Sequence, residues 1–398
     1  MLIRTGFRRS SRQKGFSLVE LMVSILIGLI ILAGVIQVVF SGKRAFLSQE
    51  DLSFIQENAR YAVSVLGKDI RAAGYWGCSG SLTNTSMVLT SVAGSEADLL
   101  SGSSLAAIET EAGTAIPAIF GFVGFEADMA QTFPEDDFVA WGEDADHYAD
   151  NAIAPNLVRA PDSFVVRYAG GEPLRIMGDD NATSLLTVAQ GTDQLPDQGI
   201  LVASSAGCDS MGVFASNAVI EGVAGGLPAY AISYADNGVN CTNKIKPDKL
   251  GSFDCTGGLG TEGGTSYRDG DSVMQYVARG YFIEESDVLP GQPALKRRIL
   301  TAEGGVLGTT TEEIAVGVED MALLYGVQTV GGIQFKTATE VTDDNEWSAL
   351  SSVQLSLVFR AQSQSMDQID DDVRLGNQYN DRRMRQVVTT TFQLRNRI

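Results

Sequence analysis

The chain has 398 residues, with 49 acidic against 29 basic side chains and one histidine, for a formal charge of −20 at neutral pH. That balance repels nucleic acid and anionic surfaces, and a lone imidazole excludes a two-histidine metal centre. Glycine at 43 positions and proline at only 10 indicate many turns in an ordered, β-rich body long enough to bury a sizeable core.

The first fifteen residues, MLIRTGFRRSSRQKG, hold Arg4, Arg8, Arg9, Arg12 and Lys14 and no acid. An apolar run follows from Phe16 to Phe40. As a helix of about 25 residues it reaches roughly 37 Å, more than the hydrocarbon core of a bilayer. The positive-inside rule keeps the basic end in the cytoplasm and exports the rest. One acid, Glu20, interrupts the run. Near the centre of an inserted helix such a residue costs about 2.5–3.5 kcal/mol, so a partner is needed. A secretory signal would carry its cleavage site after a shorter apolar region. Here the one abrupt polar-to-apolar junction with a glycine is Gly15-Phe16, ahead of the run. A cut there removes the leader, keeps the membrane segment and creates an α-amine on Phe16 of opposite charge to Glu20. The remaining chain becomes still more acidic.

The stretch KGFSLVEL, Lys14 to Leu21, resembles the class III signal of type IV pilins and type II secretion pseudopilins. The resemblance implies cleavage after Gly15 by a prepilin peptidase, N-methylation of Phe16, and a Glu20 that meets the terminal amine of a neighbouring subunit. It implies as partners other minor pilins, the major pilin, an inner-membrane assembly platform and a large tip adhesin. The chain would sit in the bacterial inner membrane with its body in the periplasm, then pass to the pilus on the cell surface. No cofactor, catalysis or nucleic acid is implied.

Beyond Phe40, Leu52, Ile55, Ala59, Ala62, Val63, Leu66, Ile70 and Ala73 recur at intervals of three and four, the spacing of a helix with one buried stripe. A single helix is therefore expected from about Phe16 to Ala73, with Gly74 as its stop. Gly28, Gly34 and Gly42 weaken it, each by about 1 kcal/mol relative to alanine. They serve either as points of loosening or as sites of close helix packing.

From Tyr75 to Asp271 the text is rich in Gly, Ser and Asp, with strand candidates in DSFVVRYAG and QGILVASSAG. In the last third, Val353, Leu355, Leu357 and Phe359 alternate with polar residues, as do Val388, Thr390, Phe392 and Leu394. SVMQYVARGYFIEE, PALKRRILTAE and VEDMALLYGVQT bring the expected strands to five. The expected fold class is α+β, type IV pilin-like: a long helix packed on an antiparallel sheet, with a large β/loop insertion. The segments are a leader (1–15), a membrane half-helix (16–40), an amphipathic half-helix (41–74), an insertion (75–271) and a C-terminal sheet (272–398). RAAGYWGC, GVEDMALLYGVQ and RRMRQVVTTTFQLRNR also resemble the PilW group of minor pilins, which implies a low-abundance subunit that helps to prime assembly. A pseudopilin of the J kind is the alternative, although such proteins usually have a smaller body.

The remaining motifs carry little chemistry. Gly258 to Gly263 fits GxGxxG but has neither the preceding strand nor the following helix of a phosphate cradle. His147 lies in the acidic stretch EDADHYADN with no GxSxG elbow to serve. Three acidic clusters, Asp144/Asp146/Asp150, Asp179/Asp180/Asn181 and Asp370/Asp371/Asp372, offer hard oxygen ligands suited to calcium. None follows the EF-hand pattern, and solvated loops are the default reading; a membrane-anchored calcium-binding or surface-binding module is the second function class. The four cysteines, Cys78, Cys208, Cys241 and Cys255, lack CxxC spacing, and export favours disulfides. Three connectivities are open. The short Cys241–Cys255 loop is favoured, leaving Cys78–Cys208; free buried thiols are the alternative.

Overall fold

A computed structural model describes residues 17–77, 84–87, 89, 121–125, 161–192, 195, 198–235, 239–240, 242–247, 264–303, 306–366, 368–370 and 372–394. Helix α1 covers Leu18–Ala72, 55 residues, with Ser17 extended ahead of it. No proline falls in it, and it runs unbroken through Gly28, Gly34 and Gly42, where an added Cβ would meet nothing within 4 Å. It stops as expected: Ala73 N–H donates to the carbonyls of Asp69 and Ile70, and Gly74 turns the chain at φ 76°, which glycine adopts without steric cost.

The strands follow in chain order. β1 (Asn84–Met87) and β2 (Phe122–Phe125) are short, and the 18-residue β3 (Ser163–Asp180) comes next. β4 (Leu185–Ala189), β5 (Gly199–Ser204), β6 (Ser210–Ser216), β7 (Ala218–Ala224) and β8 (Leu227–Ser233) then follow, and β9 (Lys246–Pro247) pairs with β10 (Gly264–Thr265). β11 (Ser272–Glu285), β12 (Pro293–Glu303), β13 (Val306–Val316), β14 (Val318–Thr329) and β15 (Gly332–Lys336) lead to helix α2 (Ala338–Asp343). After it come β16 (Leu350–Arg360), the short β17 (Val373–Arg374) and β18 (Asn377–Gln378), and finally β19 (Arg385–Gln393).

These strands make two main sheets. The larger has β3 and β11 as antiparallel central strands, Arg279 opposite Val166. β2 and β4 pair with successive parts of β3, while β5 and β12 pair with successive parts of β11. β1 joins β6 in parallel, the rest being antiparallel. The smaller sheet is β15-β14-β16-β19, antiparallel throughout. All five strands expected in the last third are present, as are both candidates in the insertion, but they do not form one sheet. β11, β12 and β13 join the insertion strands, because β11 is long enough to hydrogen-bond β3 along one edge and both β5 and β12 along the other.

The buried stripe of α1, Ile55, Ala59, Ala62, Leu66, Ile70 and Ala73, packs on Val353, Leu355, Leu357 and Phe392 of the small sheet and on Phe122, Phe164 and Tyr281 of the large one. Each large apolar side chain so buried contributes about 1.5–3 kcal/mol. Leu52, expected on the stripe, stands exposed instead. Asp162 joins the two sheets: its N–H donates to Met321 O, and its carboxylate accepts from Leu323 N–H, each at 2.8 Å.

Candidate assembly site

The first half of α1 is a bare apolar rod. From Leu18 to Phe40 its large side chains are solvent-facing in the isolated chain, and the helix is long and apolar enough to cross a membrane. Glu20 lies in its first turn and is exposed among them. Its carbonyl accepts from Ser24 Oγ at 2.7 Å. Gly15 and Phe16 lie outside the described residues.

Charged groups, and not only apolar packing, fix the rod to the body. Asp69 is buried on the apolar stripe. It accepts from Tyr168 Oη at 3.0 Å, from Arg279 Nη1 at 2.9 and 2.8 Å, and from Tyr281 Oη at 2.5 Å. One helical carboxylate thus clamps α1 to β3 and β11 together. Burial, reinforced by the Asp69 charge, raises both tyrosine pKa values well above the usual range, so both phenols stay protonated donors. Nearer the bare half of the helix, buried Asp51 accepts from Ser363 Oγ at 2.6 Å. Between the clamps Gly67 lets the helix meet β19, for a Cβ there would lie 2.6 Å from Phe392 Cε1. Arg71 then stacks over the same ring, 5.0 Å from its centroid.

A second buried ionic cluster closes the lower end of the small sheet. Glu319 accepts from Arg360 Nη1 at 3.1 Å, Arg385 Nε at 2.6 Å and Arg385 Nη2 at 3.2 Å. Arg385 also donates to both oxygens of Asp381, at 2.6 and 3.0 Å. Burial works against the Asp381 charge, but the bonds from Arg385 and the Arg383 N–H outweigh it and hold the carboxyl below its ordinary range. Asp320 accepts from buried Asn377 at 2.9 Å, and Arg360 reaches Gly291 O and Gln292 Oε1, each at 3.0 Å. The pairing of charges matters here, since an uncompensated buried charge is strongly destabilising.

Two family models match these parts of the chain. The type IV pilus-assembly protein W model matches residues 280–396, the segment that holds the Glu319 cluster and the whole small sheet. The prokaryotic N-terminal methylation motif matches residues 10–36. The two matches, one at each end of the chain, are consistent with a PilW-type pilin. No curated protein and no solved structure matches it.

Within the segment that the PilW model matches, the acidic and basic residues of GVEDMALLYGVQ and RRMRQVV meet directly, Glu319 with Arg385. Asp51 and Asp69 could have been found in the sequence, because each falls on the three-and-four spacing of the stripe where an apolar residue is due. Gly67 gave no such signal, as only the approach of Phe392 demands it. Cys208 carries a free thiol in the turn between β5 and β6, and Cys78, Cys241 and Cys255 lie outside the described residues, so neither favoured pairing is formed among the described residues. His147, the GxGxxG loop, Asp371 and the Asp144 cluster are likewise outside. Of the other acidic groups, Asp179 accepts from Tyr234 Oη at 2.6 Å and Tyr267 N–H at 2.8 Å. Asp180 caps its own turn through Ala182 N–H and Thr183 Oγ1, and Asp370 takes two bonds from Arg374. Among the described residues no group of three or more His, Cys, Asp or Glu side chains is placed to hold a metal ion.

Proposed function

We propose that this chain is a minor pilin, structural and not catalytic. Prepilin peptidase cuts it between Gly15 and Phe16 and methylates Phe16, and the exposed stem holds it in the inner membrane with the body in the periplasm. The assembly platform then moves it, with other minor pilins and the major pilin, into a type IV pilus whose assembly it helps to prime at the tip, beside a large adhesin. The observation that carries this reading is the union of a bare stem bearing one acid, Glu20, with a body clamped rigidly to the same helix through Asp69. In lipid, stems associate by close packing and polar contacts; a Phe16 amine on one subunit and Glu20 on the next would set their axial register and relieve a buried charge. The bulk of the body, more than 300 residues beyond the helix, favours the tip, since so large a head is hard to repeat along a thin filament.

The test is complementation of a strain lacking the gene, scored for surface pili, twitching and protein secretion. Wild type should restore pili and twitching and leave secretion unchanged. Glu20→Ala should be processed normally and fail to restore pili. Full rescue by Glu20→Ala refutes the register role, and a defect confined to secretion would place the chain in a type II secretion system instead.

A further inference from the structure

The body ends just above the membrane, and the direction of its strands shows which loops lie there. β11 runs from Arg279, bonded to Asp69, to Glu285, opposite Pro293. Pro293 O accepts from Gly317 N–H at 2.7 Å, and a Cβ at Gly317 would lie 3.0 Å from Phe54 Cε1. Asp69 to Phe54 is roughly 22 Å of helix and Arg279 to Glu285 roughly 20 Å of strand, so the two descend together. The β11–β12 turn, residues 286–292, therefore projects further towards the membrane. Val288 at its tip is 70 % exposed, with Leu289 beside it at 36 %. A second segment reaches the same end. Ser363 bonds Asp51, Met366 N–H donates to Arg382 O at 3.1 Å, and both Met366 and Ile369 are exposed.

The stem brings this end within reach of lipid. Body contacts first shade α1 at Leu47 and Ser48, only about 10 Å beyond Phe40 along the helix. With Phe40 at the edge of the hydrocarbon core, the headgroup layer reaches about 5–7 Å beyond it, which leaves roughly 3–5 Å for the exposed side chains of the lower loops to span. Lys43 and Arg44 are exposed on the helix at this level, and Arg382 on the loop. The acid nearest the tip, Asp287, is tied to Lys296 at 2.9 Å.

We propose that this end of the body is a second membrane contact: Val288 and Leu289, with Met366 and Ile369, sit in the headgroup layer around the emerging stem, and Lys43, Arg44 and Arg382 face lipid phosphates. Exposed apolar tips beside cations are the chemistry of an interfacial lipid contact. The contact fixes how the head is tilted and rotated about its stem while the chain waits in the bilayer, and it must be released on extraction. The inference rests on reading Leu18–Phe40 as the membrane anchor.

The test places the photocrosslinker p-benzoylphenylalanine in the full chain at Val288, Met366, Val35 or Val330, in vesicles of phosphatidylethanolamine and phosphatidylglycerol. Val35 lies in the anchor. Val330 is a fully exposed apolar tip at the far end of β14, roughly 36 Å further from the bilayer. Lipid adducts are expected at Val35, Val288 and Met366, severalfold above Val330. Adducts at Val35 but not at Val288 and Met366, or crosslinks there to a second protein chain in place of lipid, overturn the second contact while sparing the anchor. Absence of adducts at Val35 overturns the anchor reading and this inference with it.

Discussion

Replacing Asp69 with alanine should loosen the stem from the body more than any other single change in the helix. Three donors, Tyr168 Oη, Arg279 Nη1 and Tyr281 Oη, lose their common acceptor. Removing one member of a buried ion pair costs about 3–5 kcal/mol. The Arg279 side chain is 23 % exposed and regains some water, which places the cost at the lower end, about 3 kcal/mol. Asp69→Asn keeps a carbonyl acceptor and loses the charge, for about 1–2 kcal/mol. Urea unfolding of the full chain in detergent micelles, followed by near-ultraviolet circular dichroism, reads the difference. With a slope of about 3 kcal/mol/M, the midpoint of Asp69→Ala should fall by roughly 1 M and that of Asp69→Asn by about one to two thirds as much. An alanine midpoint within about 0.2 M of wild type would falsify the clamp and leave apolar packing as the sole attachment.

Three further outcomes follow from the same geometry. Gly67→Ala drives a Cβ to 2.6 Å from Phe392 Cε1 and should cost about 1–3 kcal/mol; Phe392→Leu in the same chain should recover part of that loss, a coupling that a double-mutant cycle measures. Glu319→Gln leaves Arg360 and Arg385 without their shared charge and should destabilise by about 3 kcal/mol or more in the same urea assay. The pH dependence has a definite sign. Because the Asp381 carboxyl is held below its ordinary range in the fold, its contribution is complete above the unfolded carboxylate pKa and is lost as pH falls through the folded one. Melting temperatures measured at about pH 6 and about pH 3 should therefore drop less in Asp381→Asn than in wild type; an equal drop would contradict that assignment.

The long helix was legible because two periodicities overlap in it. An unbroken apolar run marks the stem, three-and-four spacing marks the packed half, and Gly74 ends both. The alternations through Val353 to Phe359 and Val388 to Leu394 were equally readable, and the buried faces of β16 and β19 follow them. What the sequence did not disclose was the partition of strands between sheets. Val273 to Glu285 reads as one strand of ordinary pattern, and nothing local says that it will pair with insertion strands on both edges instead of lying beside β14. That choice is made by contacts between residues about a hundred positions apart, such as Arg279 with Val166. The ionic clusters were half visible. Asp69 stands out as a charge on an apolar stripe, and GVEDMALL and RRMRQVV stand out by resemblance. That Glu319 meets Arg385 and Arg360 depends on the register of β14, β16 and β19, which no single segment encodes.

The central claim is that Gly15–Phe16 is a processing site whose new amine partners Glu20, and the mass of the mature amino terminus tests it most directly. Chain purified from the membranes of its own host, digested and analysed by mass spectrometry, should begin at Phe16 and carry one extra methyl group on its α-amine. A chain that still begins at Met1, or one trimmed beyond Phe40, contradicts the account.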